Sequence, residues 1–146
     1  MNKKPYNHLT FYKPDQSNPS QLVMVDNGIA AGFPSPADDF KETRISLDKT
    51  LIKNEDATFY ARVRGESMID AGLNDGDLLV IDRSLPPENK KIAVCFIDGE
   101  FTVKRLKIEK DTITLLPENP KYKPIKVTDK NNFMIWGIVT YVVKEV

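Results

Sequence analysis

Ile92-Ala93-Val94-Cys95-Phe96-Ile97-Asp98-Gly99-Glu100-Phe101-Thr102-Val103-Lys104-Arg105-Leu106-Lys107-Ile108 is the stretch that decides the fold. Two runs rich in β-branched and aromatic residues flank Asp98-Gly99. A two-residue Asp-Gly link is a strong hairpin signal, because both residues tolerate the positive φ that a tight turn demands. Working outward toward the N-terminus, Asp77 to Asp82 is a compact apolar run between acids, and Thr58 to Val63 has strand composition. Toward the C-terminus lie Thr112 to Leu116, Pro124 to Val127 and Phe133 to Val143. Strands at intervals of roughly ten residues, with turn signals between them, predict a mostly β, small, curled antiparallel fold. The chain shows no internal repeat and no low-complexity tract.

The chain divides near residue 40. Before it lie Pro5, Pro14, Pro19, Pro34 and Pro36 among scattered Asn, Ser, Gln and Asp. Such a stretch cannot hold a long helix and reads as an extended arm over residues 1–40, ahead of a β domain over 41–146. One short apolar run in it, Leu22 to Val25, has the character of an edge strand. The arm leaves no room for a helix-turn-helix module, and every core run expected from the pattern lies beyond residue 40.

Composition excludes several function classes. A length of 146 residues fits one domain, and 40% hydrophobic content suffices for a core. Lys plus Arg and Asp plus Glu both number 21, so the basic excess of a protein that grips phosphates is missing, and direct sequence-specific DNA binding is not expected. Cys95 is the only cysteine and stands in an apolar run, which predicts a buried structural thiol, no intrachain disulfide and a cytoplasmic protein. The single histidine, His8, lies in the polar arm, a poor scaffold for a catalytic base. No metal site and no cofactor is expected. The longest apolar run, Phe133 to Val143, is too short to span a bilayer, and no secretory signal accompanies the N-terminal lysines.

Three elements remain that can carry chemistry. Gly65-Glu66-Ser67-Met68 comes directly after a strand, where a glycine permits a sharp turn that projects a serine from the sheet rim. Its backbone N–H groups, near Glu66 and Ser67, then face the same space, as an oxyanion hole needs. Taken alone, it reads equally as a turn serine bonding locally. A serine nucleophile needs a base, and with histidine unavailable a lysine must serve. That requires burial to lower its pKa from about 10.4 toward 7, worth about 4 kcal/mol. Along Glu100 to Leu106, period two puts Thr102, Lys104 and Leu106 on one face, which sets Lys104 on a partly dry surface. Arg105 cannot act as a base, because guanidinium stays protonated. Ile29-Ala30-Ala31-Gly32-Phe33-Pro34 offers small residues around a bond that an extended backbone can carry into a tight cleft, or simply a flexible linker.

Together these elements resemble the group of self-cleaving serine–lysine peptidases that contains LexA repressors, phage repressors and UmuD. Gly65-Glu66-Ser67-Met68 is similar to the group's nucleophile motif, and Gly72 to Asp82 to its Gly-Asp strand block. Asp98 to Leu106 resembles its lysine-bearing hairpin, and Ala31-Gly32 its Ala-Gly scissile bond. Phe33 to Phe40 resembles the segment just after the cut in the UmuD branch, whereas residues 1–28 carry no family motif. The resemblance implies that Ser67 is the nucleophile and Lys104 the general base, with self-cleavage between Ala31 and Gly32. It also implies stimulation by a RecA–single-stranded DNA filament, a homodimer, and a shortened product that joins a Y-family (UmuC-like) polymerase subunit in error-prone synthesis past DNA lesions. A LexA-like or phage-repressor-like regulator and a non-cleaving binding module of the same fold are the competing expectations.

Overall fold

The computed structural model describes residues 9–17, 21–25 and 42–146, which fall into two compact units. In chain order the elements are β1 (Phe11–Tyr12), β2 (Gln21–Val25), β3 (Glu42–Ser46), α1 (Leu47–Leu51), β4 (Thr58–Arg62) and β5 (Leu78–Asp82). They continue with β6 (Ile92–Ile97), β7 (Glu100–Ile108), β8 (Ile113–Leu116), β9 (Ile125–Lys126) and β10 (Phe133–Val143). Single 3-10 turns cover Glu55–Ala57 and Ile69–Ala71.

Within residues 15–53, the described part is a two-stranded antiparallel ribbon of β2 and β3, then the single turn of α1. The apolar run at 22–25 is thus a strand, with Leu22 opposite Ile45. Residues 26–41, which contain the expected domain boundary and the Ala31-Gly32 bond, lie outside the described residues.

The larger unit, residues 9–14 and 54–146, is an open eight-stranded sheet in the order β1-β4-β5-β10-β6-β7-β8-β9. Every pairing in it is antiparallel. The mostly β, antiparallel architecture expected from the sequence is the one observed. The Asp98-Gly99 link forms the hairpin turn with both residues at positive φ, 49° and 86°, and sets Ile97 opposite Glu100. Alternate residues of β6 serve two apolar clusters. Val94 packs with Val63, Met68, Leu73, Leu79, Ile81 and Val103, while Ala93 and Cys95 pack with Leu106, Leu115 and Ile138. A strand buried on both faces reads as a continuous apolar run, which is why Ile92–Ile97 lacks polar alternation.

β10 bridges β5 and β6, and its register slips between Ile135 and Gly137 and again between Val139 and Tyr141. Gly137 is required there because a Cβ would lie 2.6 Å from Ile81 Cγ2. The slip turns Trp136 against the rings of Phe11 and Phe59, at 4.4 and 5.1 Å.

The pattern placed all of the core beyond residue 40, and here the structure differs. Leu9 and Phe11 pack against the first cluster, β1 pairs with β4, and Lys13 Nζ donates to the carbonyls of Glu55, Asp56 and Thr58. Two aromatic rings, Phe101 and Trp136, contributed by strands far apart in sequence, create a site for Phe11 that no local pattern announces. No helix among the described residues is long and apolar enough to cross a membrane.

Candidate active site

The nucleophile candidate rides on an irregular loop. Chain 63–77 is closed at its base by Val63 N–H donating to Asp77 O and Gly76 N–H donating to Val63 O. Gly65, at φ 88°, makes the turn, and its N–H donates to Asp75 Oδ1 at 2.8 Å. On the other side of the serine, the Met68 side chain is buried in the first apolar cluster and fixes the far end of the turn. Ser67 lies between these anchors, half-buried.

Lys104 arrives from the hairpin. It stands opposite Ala93 on β6, two residues from Thr102, which stands opposite Cys95. Only 6% of Lys104 is exposed, so the face that pattern alone makes partly dry is nearly closed to water. Its Nζ lies 2.9 Å from Ser67 Oγ, 2.6 Å from Thr102 Oγ1 and 3.2 Å from the Val103 carbonyl oxygen. Burial draws its pKa from 10.5 down to about 8. Burial pushes the Cys95 thiol up to about 12, so it stays protonated and inert beside the amine. The lysine is therefore poised to exchange its proton near neutral pH, and a hydroxyl is in direct contact with it.

The two residues face an open cleft of about 210 Å³. Leu9, Met68, Phe101, Tyr122 and Ile125 give it apolar walls, while Ser67, Thr102 and Lys104 lie among its polar groups with the charged Arg64, Glu66, Glu100 and Lys123. A cleft of mixed apolar and polar lining with a hydroxyl and an amine inside suits a peptide substrate. Among the described residues, no three His, Cys, Asp or Glu side chains gather as a metal site would need.

The structure thus brings together Ser67 and Lys104, with the Glu66 peptide beside them. Ala31, Gly32 and His8 lie outside the described residues. Sequence reasoning gave Thr102 no role beyond sharing the face of Lys104. It also missed Glu118 and Asn119, which bond to the carbonyls of Ser67 and Glu66 at 2.8 Å. Thr102 was findable, since period two puts its hydroxyl next to the lysine. Glu118 and Asn119 were not, because Pro117-Glu118-Asn119-Pro120 reads only as a loop.

Comparison with known proteins bears on this arrangement. The family model described as Peptidase S24-like matches residues 23–140. Protein ImpA of Salmonella typhimurium is 41% identical over 114 residues, covering 77% of each chain. Protein SamA of Salmonella typhimurium strain LT2 is 44% identical over 110 residues, 75% of this chain and 76% of its own. A LexA repressor of Oleidesulfovibrio alaskensis is 38% identical over 133 residues, covering 90% of this chain and 64% of the repressor.

Proposed function

The chain belongs to the Peptidase S24-like family as a self-cleaving serine peptidase of the UmuD-like kind, and from that premise we propose that Ser67 and Lys104 are the dyad that cuts the Ala31–Gly32 bond. The observation that carries this reading is the 2.9 Å contact between Ser67 Oγ and a lysine whose burial lowers its pKa to about 8.

The contacts of Lys104 suit the role of base. As an ammonium it has three N–H donors for three acceptors: Thr102 Oγ1, Val103 O and Ser67 Oγ. On losing a proton it keeps two donors, and the Val103 carbonyl can only accept. Holding the two remaining N–H bonds on Thr102 and Val103 turns the lone pair toward Ser67, whose O–H then donates to it. Ser67 attacks the Ala31 carbonyl as its proton passes to Lys104, and backbone N–H groups of the turn stabilise the oxyanion. The ammonium returns that proton to the Gly32 nitrogen, which leaves as the new N-terminus. Water then attacks the acyl–serine with Lys104 again as base, freeing Ser67 and leaving Ala31 with a carboxylate.

The scissile bond is tethered to its own catalyst, so docking of the arm (residues 1–40) controls the rate, and a partner that favours the docked state switches the reaction on. In this reading the partner is a RecA–single-stranded DNA filament formed after DNA damage. The shortened chain serves as a subunit of an error-prone Y-family polymerase. The chain acts as a homodimer in the cytoplasm, a reading the exposed apolar side chains Tyr141 and Val143, on one face at the end of β10, support.

Incubation with RecA, ATP and single-stranded DNA, then N-terminal sequencing and mass measurement, tests the reading. The product should begin at Gly32, and one beginning elsewhere would overturn the assignment of the bond. A LexA-like regulator is the second reading, favoured by the repressor match over 133 residues. It shares the cut and differs in binding operator DNA instead of a polymerase subunit, which a pull-down against each distinguishes.

A further inference from the structure

The peptide on either side of Ser67 is held from outside its own loop. Asn119 is only 6% exposed, and its Nδ2 donates to the Glu66 carbonyl at 2.8 Å while its Oδ1 accepts from Lys121 N–H at 3.0 Å. A carbonyl can only accept and a backbone N–H only donate, so these two partners fix which way the amide faces. The Glu66 carbonyl has one other bond, a long one of 3.4 Å from Ile69 N–H. Next to Asn119, the Glu118 N–H donates to the Ser67 carbonyl at 2.8 Å, and the Glu118 carbonyl accepts from Asp70 N–H at 2.8 Å. The Glu118 carboxylate also pairs with Arg105 Nε, so the segment is tied to β7 immediately beside Lys104.

A trans peptide points its C=O and its N–H in opposite directions, and no peptide bond in the described chain is cis. Drawing the Glu66 carbonyl toward Asn119 therefore aims the Ser67 N–H the opposite way. Drawing the Ser67 carbonyl toward Glu118 does the same for the Met68 N–H. Neither N–H donates to another described residue, which is the state an oxyanion hole needs before substrate arrives. We propose that Asn119 is a positioning residue for the reaction: its side-chain amide sets the plane of the Glu66–Ser67 peptide and so aims the Ser67 N–H at the developing oxyanion. The inference rests on the reading of Ser67 as nucleophile. Asparagine suits the task because its short amide carries a donor NH2 and an acceptor C=O in a fixed plane, facing the acceptor and the donor it meets.

The test uses the full chain with Asn119→Leu, which keeps the size and removes the amide, and Asn119→Ala as a smaller second variant. Self-cleavage without RecA is measured from about pH 6 to 11, alongside thermal unfolding and a Ser67→Ala control. Both variants should lower the plateau rate by about 10- to 100-fold, the scale expected for a misaimed oxyanion donor. The midpoint of the pH profile should stay where the parent has it, because Asn119 does not touch Lys104. A purely structural role would instead lower the unfolding temperature and leave the plateau of the folded protein unchanged. A plateau within about threefold of the parent, a fall explained by a moved midpoint, or failure of both variants to fold overturns the inference. Cleavage that persists in Ser67→Ala would instead overturn the nucleophile assignment beneath it.

Discussion

Ser67 and Lys104 meet at 2.9 Å, yet the regions that deliver them are held in different ways. Lys104 belongs to a regular strand, with β6 on one side and β8 pairing from the next residue, Arg105, onward. Its position comes from a two-residue turn and the period of the ladder. Ser67 belongs to a turn without strand pairing, fixed by a glycine at positive φ whose N–H donates to Asp75, a buried methionine, and bonds donated by Glu118 and Asn119. A base built on regular structure is robust to changes around it, whereas a nucleophile held by long-range bonds is not, and those bonds are not legible in sequence. The dyad therefore joins one position that tolerates change around it to one that does not.

The largest expected effect is on the pair itself. Ser67→Ala and Lys104→Arg should each abolish self-cleavage, by more than about 10³-fold, with the fold retained; gel separation of parent and product checks this. Lys104→Met separates function from stability. A lysine whose folded pKa of about 8 lies below its ordinary 10.5 binds fewer protons folded than unfolded across that interval. Stability thus rises with pH from 8 to 10.5, and below pH 8 burial of the amine costs its full amount. Lys104→Met removes the cost, so urea unfolding at pH 7 should show a gain of about 2 kcal/mol and a flatter dependence between those pH values. On the nucleophile side, Gly65→Ala forces a side chain into the left-handed region and should lose about 1 kcal/mol, with slowed cleavage. Lys107 is the contrast within β7: more than half exposed and paired with Glu109 at 3.2 Å, it should change stability by less than about 0.5 kcal/mol when replaced by alanine.

The same division explains what could be read in advance. The strand spans Ile92–Ile97, Glu100–Ile108 and Phe133–Val143 coincide with the runs picked out by composition and turn signals, because local propensity and burial agree there. Lys104 was legible for the same reason: a cation flanked by Thr102 and Leu106 on one strand face stands out. The docking of Leu9 and Phe11 was not legible, since their partners Phe101 and Trp136 come together only once the sheet has formed. Asn119 was hidden for a similar reason. Its partner Glu66 is 53 residues away, and an asparagine between two prolines signals a loop whatever it bonds to.

The central claim is that a buried neutral lysine activates Ser67, and the pH dependence of RecA-independent self-cleavage tests it most directly. With Lys104 at a pKa of about 8, the rate should climb tenfold per pH unit below that value, bend near it and level off above it. A rate that is flat from about pH 6 to 10, or one that keeps climbing past the ordinary lysine value near 10.4, would contradict the account.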